Sequence, residues 1–367
     1  MIFWVILLGG MLIAALLGVF YLVTRFHKFL HIQKLAENHK ATAWLISALP
    51  VVACFLFGLI NMYAAVIVLL HMVLFWALCD LAARIIKRRK NAESKHYYAG
   101  AAALLISAVY LGAGWFFAHH VFETRYELTT DKSLPDGHVR AAMFADSHLG
   151  ITLDGEKFAR EMQRIAKAEP DVVFLVGDFV DDDSSRDDMI TACKALGELD
   201  SQVQNGVIYV DGNHDKGYGN YRDFTIDELY TELENNGVTI LRDEIFSVGG
   251  IDVVGRKDKS DDERLEIAEL MADEDGSPYT VILDHQPSDY DNEAATCADL
   301  VLSGHTHGGH IFPAGYVGLW SGINDRIYGS EVRNDTTFIV TSGISGWAIP
   351  FKTGCISEYV IIDIGEG

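Results

Sequence analysis

The sequence contains few cysteines and few prolines. Its five cysteines include no pair at the CxxC spacing of a structural zinc site, and their odd number and wide separation predict no disulfide framework. Seven prolines among 367 residues, with a mean hydropathy of +0.15, exclude a disordered chain. Charged residues form 22% of the sequence, which is too many for a chain buried wholly in lipid. The sequence therefore predicts two folded parts of different character.

Basic residues are scarce in the C-terminal two thirds of the chain. Of 29 Lys and Arg and 51 Asp and Glu, residues 1–125 hold 11 and 4, so residues 126–367 hold the remaining 18 and 47. Such an acidic segment repels the phosphate backbone of nucleic acids, and it carries no basic stripe interleaved with aromatic residues. We therefore expect no nucleic-acid partner. Carboxylates in this number suit divalent cations, although most of them form a solvated surface.

Long apolar runs are confined to residues 1–125, which we expect to form a transmembrane helical domain. Each run approaches the ~20 residues that a spanning helix requires. The four runs lie at residues 2–23, 41–61, 64–83 and 97–118. No charged residue precedes Arg25, so the first run lacks the basic start of a cleaved signal peptide. We predict about four transmembrane helices, with the lipid bilayer as partner, in a multi-pass protein of the cell membrane.

The distribution of Lys and Arg predicts the orientation of these helices. Residues 25–40 and residues 84–95 form two basic loops. Positive residues in short loops stay on the cytoplasmic side, and with four spans both loops share one face. We therefore expect the acidic domain, residues 126–367, on the extracytoplasmic side. A count of three spans would invert that orientation.

The acidic domain alternates short β-rich runs with helical segments. Residues 158–168 and 189–199 have the apolar spacing of helices that cover a sheet. Five apolar runs are each followed by polar residues of the metal-binding type. These runs are residues 139–145, 171–176, 207–210, 279–283 and 299–302. Ligands of α/β sheets bind beyond the carboxyl ends of the strands, so one site can collect all five groups.

The polar residues after these runs suit a pair of divalent cations. They are DSH at 146–148, GDFVD at 177–181, GNHD at 212–215, His285, and GHTHGGH at 304–310. Carboxylate, imidazole and amide ligands fit Mn, Fe or Zn better than calcium. Two such metals ~3.5–4 Å apart can clamp phosphoryl oxygens and activate a bridging water, whose hydroxide attacks phosphorus. That chemistry needs one shared ligand, for which Asp178 is the natural candidate.

The ordered series DxH, GDxxD, GNHD, a later His and GHTHGG resembles the calcineurin-like metallophosphoesterase superfamily. The resemblance covers roughly residues 138–364 and is greatest for the bacterial membrane-anchored phosphoesterase group. That group shares an ending like Thr341-Ser342-Gly343 followed by Trp347 and Pro350. The resemblance implies that residues 126–367 form a four-layer αββα metallophosphoesterase sandwich, which follows the bundle of transmembrane helices.

The same resemblance implies roles for individual residues. One metal would be held by Asp146, His148, Asp178 and His307, and the second by Asp178, Asn213, His285 and His305. His214 would contact the phosphate and protonate the leaving oxygen, with Asp215 orienting its ring. Three further candidates support the ligands or bind substrate: Asp181, Arg256, which could bind a phosphate bidentately, and His310, which stands where relatives usually carry Gln.

The implied function is hydrolysis of a phosphate ester by a dinuclear-metal phosphoesterase. Because the domain is tethered to a membrane, we expect a lipid-linked or cell-envelope phosphodiester as substrate. A phosphomonoesterase and a nucleotide-lipid pyrophosphatase remain open alternatives. A membrane sensor or scaffold would instead lack ligands or carry several polar residues in its spans. All seven ligand positions are filled, and only His71 and Asp80 offer such groups, which we assign to packing. No protein partner is predicted.

Overall fold

The computed structural model describes residues 2–90, 95–219 and 221–367, with backbone alone for residues 2–8 and 90. The chain divides into two compact units, Met1–Gly114 and Trp115–Gly367. The division falls within a helix, and the two units are described separately below.

The first unit consists of helices. They are α1 (Ile2–Phe26), α2 (Leu30–Asn38), α3 (Lys40–Cys54), α4 (Met62–Lys90) and the greater part of α5 (Tyr98–His119). A 3₁₀ segment, Phe55–Leu59, extends α3. Among the described residues, four stretches are long and apolar enough to cross a membrane: Gly9–Phe26, Lys40–Leu59, Met62–Arg89 and Tyr98–His119. The predicted set of four long apolar helices is therefore confirmed. The polar helix α2 was not predicted.

The two ionisable side chains that the sequence places within the apolar runs, His71 and Asp80, have partners within the helical unit. Nε of Arg25 lies 2.9 Å from Oδ2 of Asp80, and the Tyr97 hydroxyl donates a 2.6 Å hydrogen bond to Oδ1 of Asp80. Nδ1 of His71 lies 2.8 Å from the carbonyl oxygen of Ile67. These contacts agree with the packing role that the sequence suggested for Asp80 and His71.

The second unit contains two six-stranded mixed sheets. The strands of the first sheet are, in spatial order, β1 (Val121–Thr130), β12 (Ser357–Glu366), β2 (His138–Phe144), β3 (Val172–Val176), β4 (Val207–Val210) and β5 (Thr239–Ile240). Those of the second are β10 (Gly329–Arg333), β11 (Thr336–Val340), β9 (Leu300–Ser303), β8 (Tyr279–Leu283), β7 (Ile251–Gly255) and β6 (Glu244–Val248). Strands β2 to β5 run parallel, as do β7, β8, β9 and β11. Parallel neighbours bring their carboxyl ends to the same edge.

Helices cover the outer faces of both sheets. The first sheet carries α6 (Gly155–Ala166), α7 (Arg186–Asp200) and α8 (Ile226–Asn235), and the second carries the short α9 (Ile267–Leu270) and α10 (Tyr290–Glu293). The inner faces of the two sheets share one apolar core, which contains Val176 and Leu283. This confirms the αββα sandwich. The run VVFLV of β3 is apolar throughout because both of its faces are buried.

Capping residues determine where the helices of the first sheet begin. The side chains of Asp154 and Ser185 accept hydrogen bonds from backbone N–H groups at the starts of α6 and α7. Both helices therefore begin three residues before the predicted amphipathic stretches, which start at Phe158 and Met189. Thr225 begins α8 with a capping box.

Candidate metal centre

The loops after β2, β3, β4, β8 and β9 bring all seven predicted metal-binding residues together. Ligand atoms lie within 4.8 Å of one another in each of two groups: Asp146, His148 and His307 form one, and Asp178, His285 and His305 form the other. Oδ1 of Asn213 lies 2.9 Å from Nδ1 of His305, beside the second group. Both sheets therefore contribute residues to the site.

Asp178 lies between the two groups. Its Oδ2 atom is 3.4 Å from Nε2 of His148 and 3.1 Å from Nε2 of His285. The first ring belongs to one group and the second ring to the other. One carboxylate oxygen therefore occupies the position that a shared ligand requires.

Hydrogen bonds on the outer side of the rings fix their orientation. Nδ1 of His148 lies 2.9 Å from Oδ2 of Asp181, and Nδ1 of His285 lies 2.8 Å from the carbonyl oxygen of Val176. Because these oxygens accept a proton from Nδ1, the lone pair of each Nε2 atom faces the interior of the site. A lone pair directed at a carboxylate oxygen is repelled unless a cation or a proton lies between them.

The electrostatics of the site fit a divalent cation. Burial opposes protonation of His285, but the nearby carboxylates of Asp178 and Asp146 outweigh it and raise the pKa of His285. Its buried Nε2 lies 3.1 Å from Oδ2 of Asp178 but without the alignment of a hydrogen bond. Burial lowers the pKa of His305 to about 4 and also lowers the pKa of His307, so both rings are neutral at neutral pH, as metal binding demands. Carboxylates and imidazoles are thus directed at the same space.

Most of these residues have a strained backbone. Five of the seven candidates have positive φ: Asp146 (56°), His148 (36°), Asp178 (53°), His305 (68°) and His307 (48°). Conformations of this kind cost of order 1–3 kcal/mol each, persist only where the surroundings hold them, and cluster at functional sites. Here the backbone N–H groups of Asp146 and His148 donate to the carbonyl oxygens of Gly177 and Asp178, at 3.0 Å and 3.1 Å.

Glycine in the GNHD motif permits a close approach of two loops. A Cβ atom on Gly212 would lie 2.2 Å from both the backbone nitrogen and Oδ1 of Asp178. The loop after β4 could not reach the loop after β3 with any larger residue at this position. The backbone N–H of His214 then donates a 2.8 Å hydrogen bond to Oδ1 of Asp178.

The ring of His214 is oriented by Asp181. Nδ1 of His214 lies 3.0 Å from Oδ1 of Asp181, whose other oxygen contacts His148. Burial opposes ionisation of Asp181, but the hydrogen bonds from His148 and His214 outweigh it and hold the pKa of Asp181 below its usual value. A single carboxylate thus positions the predicted proton donor and one predicted ligand.

Asp215 contacts backbone groups instead of the His214 ring, which differs from the role that we expected. Its Oδ1 accepts a 3.0 Å hydrogen bond from Val180 N, and its Oδ2 accepts a 2.8 Å bond from Gly212 N. The fully buried side chain therefore ties the loops after β3 and β4 together. Burial, reinforced by the charge of Asp178, raises the pKa of Asp215 to about 7.

Arg256 lies in a buried ion cluster. Its Nη1 atom is 3.0 Å from Asp284, 2.7 Å from Asp289 and 3.0 Å from Glu293, and the residue is only 2% exposed. The charge of Arg256 is therefore balanced by carboxylates of its own domain.

The ring of His310 lies 5.4 Å from the ring of His307. Nε2 of His310 is 3.1 Å from the carbonyl oxygen of Ile349, and burial lowers the pKa of His310 to about 3. The ring thus borders the candidate ligands while it is tied to the segment that contains Ile349.

Two aromatic side chains that sequence reasoning did not assign to the site flank His214. The rings of Tyr218 and Trp347 lie 5.0 Å and 5.4 Å from the His214 ring, and the two residues are 66% and 43% exposed. The Tyr218 hydroxyl accepts a 2.6 Å hydrogen bond from Nδ2 of Asn213, which directs the Asn213 carbonyl oxygen toward His305. The only signal for Tyr218 was its position four residues after His214.

An αββα sandwich with Asp and His residues clustered at the carboxyl ends of its strands offers a candidate binding site for divalent cations. Residues 139–309 match the sequence profile of the calcineurin-like phosphoesterase family. Residues 139–309 therefore belong to a calcineurin-like metallophosphoesterase domain, and four helices that are long and apolar enough to span a membrane precede it.

Curated relatives carry the same domain. An uncharacterised metallophosphoesterase of Helicobacter pylori is 30% identical over 229 residues, 61% of this chain and 59% of the relative. A transmembrane protein with metallophosphoesterase domain from Bos taurus is 26% identical over 234 residues, 60% and 51% of the two chains. The chain thus spans less than two thirds of either relative. A solved dimetal phosphatase from Danio rerio aligns with 57% of this chain and 87% of its own at 12% identity and a TM-score of 0.38.

Proposed function

We propose that this protein is a membrane-anchored phosphoesterase that hydrolyses a phosphate ester with two divalent metal ions, Mn, Fe or Zn. Residues 1–125 provide the anchor, and residues 126–367 provide the catalytic domain. The observation that carries the proposal is the position of Asp178 Oδ2 between His148 and His285. The family match supports the hydrolase class.

Each metal ion has a set of four residues. Asp146, His148, Asp178 and His307 would hold one ion, and Asp178, Asn213, His285 and His305 would hold the other. When bound, such ions polarise phosphoryl oxygens and lower the pKa of water to supply a nucleophile. Asp178 belongs to both sets and would determine the distance between the two ions. Asp181 accepts the Nδ1 proton of His148, and the Val176 carbonyl oxygen accepts that of His285. Both rings therefore present Nε2 to the metal site.

His214 supplies the proton for the leaving oxygen. Because Asp181 engages Nδ1, Nε2 is the ring nitrogen that meets the substrate. Burial disfavours the charged ring, but Asp181 and Asp178 outweigh it and raise the pKa of His214, which keeps a proton on the ring for transfer. Asp215 holds the loop that carries His214.

The substrate that we propose is a phosphodiester of a lipid or cell-envelope molecule. Two observations support it: the domain is attached to apolar helices, and the half-exposed rings of Tyr218 and Trp347 offer walls for an organic substituent beside His214. A phosphomonoester or a nucleotide-lipid pyrophosphate would bind to the same metal ions. Relative rates of hydrolysis of the three kinds of ester distinguish these substrates.

We propose that the catalytic domain lies on the extracytoplasmic side. The basic stretches after the first and third apolar helices support this orientation. The test is a pair of fusions at Gly367, with a reporter that is active only outside the cytoplasm and one that is active only inside it. Activity of the cytoplasmic reporter alone would refute the orientation.

Hydrolysis by the full-length chain in nanodiscs tests the proposed function. Bis-p-nitrophenyl phosphate, p-nitrophenyl phosphate and a nucleotide-linked lipid would be supplied with added Mn, and bound metal would be measured by mass spectrometry. We expect the wild-type chain to bind two metal ions and to hydrolyse the diester faster than the other esters. Asp178→Asn should lose both the turnover and the bound metal. The matched control is Asp183→Asn, an exposed position in the same loop. A folded, metal-loaded chain without turnover on any ester would favour the sensor or scaffold alternative.

A further inference from the structure

An uncharged loop rich in exposed aromatic residues follows the GHTHGGH motif. This aromatic loop, residues 311–323, contains a 3₁₀ turn (Ala314–Tyr316) and the short helix α11 (Val317–Trp320). None of its residues is charged. Phe312 is 53% exposed, Trp320 70% and Ile323 51%. Contiguous exposed apolar side chains of this kind mark a contact surface.

The base of the aromatic loop is held firmly against the predicted metal centre. A Cβ atom on Gly315 would lie 1.8 Å from the carbonyl oxygen of Gly309, so the two backbones are in direct contact. The Tyr316 ring lies 6.0 Å from the Phe312 ring and 6.1 Å from the Trp320 ring. The three rings therefore form a row with Tyr316 in the middle, and the rings of Phe312 and Trp320 at its two ends are exposed.

The aromatic loop begins close to the end of a helix that is apolar enough to span a membrane. Phe312 N donates a 3.1 Å hydrogen bond to Oγ1 of Thr353, and Thr353 N donates a 2.8 Å bond to the carbonyl oxygen of His310. Two residues before Thr353, the Phe351 ring lies 5.4 Å from the ring of Trp115 in α5. All of these residues belong to the unit Trp115–Gly367, so contacts within that unit connect the loop to the end of the apolar helix.

We propose that the aromatic loop docks into the interfacial layer of the lipid bilayer. Trp and Tyr rings favour that layer, where one part of the ring is apolar and another is wet. The remaining domain is strongly acidic and cannot be drawn to the bilayer by anionic headgroups, so burial of Phe312, Trp320 and Ile323 provides the attraction. The docking requires neither metal nor turnover and so goes beyond the proposed function.

Quenching of Trp320 by brominated lipid tests the docking. The full-length chain is placed in nanodiscs whose acyl chains are brominated near their ester ends, and the Trp320 signal is taken as the difference between wild type and Trp320→Phe. Trp44, in an apolar helix of the first unit, provides the positive control through Trp44→Phe. We expect both signals to be quenched by brominated lipid and the Trp320 signal to be protected from aqueous acrylamide.

Two other outcomes would overturn the docking. A Trp320 signal that acrylamide quenches and brominated lipid does not would place the loop in water. A signal shielded from both quenchers, with Trp44 quenched by lipid, would mean that protein covers the loop, such as a second copy of this chain. These outcomes are measured by fluorescence quenching alone. They therefore test the docking independently of whether the chain hydrolyses an ester.

Charge substitution provides a second, matched test. In Phe312→Asp/Ile323→Asp, with Trp320 retained, the ratio of docked to undocked loop should fall by roughly tenfold or more, because apolar burial is lost. Val332→Asp, at a position 66% exposed on β10, should leave Trp320 quenching unchanged. Equal loss of quenching in both proteins would refute the assignment of docking to this loop. If the double variant does not fold, the comparison of wild type with Trp320→Phe decides.

Discussion

Oδ1 of Asp181 lies 3.0 Å from Nδ1 of His214, and the other oxygen of this carboxylate lies 2.9 Å from Nδ1 of His148. A residue of the loop after β3 therefore orients a ring of the loop after β4. The nearest carboxylate in sequence, Asp215, faces backbone N–H groups and stabilises the loops themselves.

Replacing Asp181 should lower activity without unfolding the domain. Asp181→Asn keeps the shape of the side chain but removes the charge that orients His148 and His214, so we expect kcat/KM to fall roughly 10–100-fold with weaker metal binding. Diester hydrolysis at several Mn concentrations would measure both effects. Asp183→Asn is the control, and a similar loss in that variant would contradict the role of Asp181.

Replacing His214 should affect esters according to their leaving group. His214→Gln removes the proton donor, so an alkyl ester should be hydrolysed roughly 10²–10⁴-fold more slowly. The p-nitrophenyl ester should lose much less, because nitrophenolate leaves without a proton. Rates across a series of leaving groups, with metal content measured in parallel, would check this. A uniform loss across the series would argue against proton donation by His214.

Removal of metal should destabilise the catalytic domain. The carboxylates of Asp146 and Asp178 lie close together in a buried site, so chelation leaves only imidazole rings to balance their charges. We expect a lower melting temperature after chelation, and recovery when Mn is added. At a metal concentration of 100 times Kd, each site contributes about 2.7 kcal/mol. Melting of the full-length chain, followed by circular dichroism, would measure the change, and identical curves would contradict it.

Arg256 should matter for stability more than for substrate binding. Arg256→Met leaves the buried Glu293 without its cation and leaves Asp284 paired with Arg264 alone, which should cost about 3–5 kcal/mol. Arg186→Met, which removes an exposed ion pair with Glu228, should cost about 0–1 kcal/mol. Thermal melting and KM would be measured for both variants. A raised KM with unchanged melting for Arg256→Met would favour the phosphate-binding role.

The strands and the assembly of the site could be predicted from sequence because two patterns coincide. Buried parallel strands appear as continuous apolar runs. The carboxylate, imidazole and amide side chains that follow these runs, from Asp146 to His307, indicate a metal-binding site. The spans could be predicted because length and apolar composition suffice. These are local properties that a single sequence displays.

Other features depend on contacts between distant segments. The pairing of Asp181 with His214 depends on the meeting of two loops, and the ion cluster of Arg256 depends on carboxylates 28 to 37 residues away. Tyr218 and Trp347 converge from segments of the domain that are far apart in sequence. The positive φ angles of the candidate ligands carry only a weak sequence signal, since Asp and His adopt such angles more often than most residues but still need neighbours to hold them.

The division of the candidate ligands between two sheets has a consequence for folding. A cation held by Asp146 and His307 would link the loop after β2 in the first sheet to the loop after β9 in the second, and so close a long loop of chain as a disulfide does. Such a crosslink forms only when both sheets are in place. Metal would therefore slow unfolding and protect the domain against proteolysis at the junction of the sheets, while it contributes little to the earliest steps of folding.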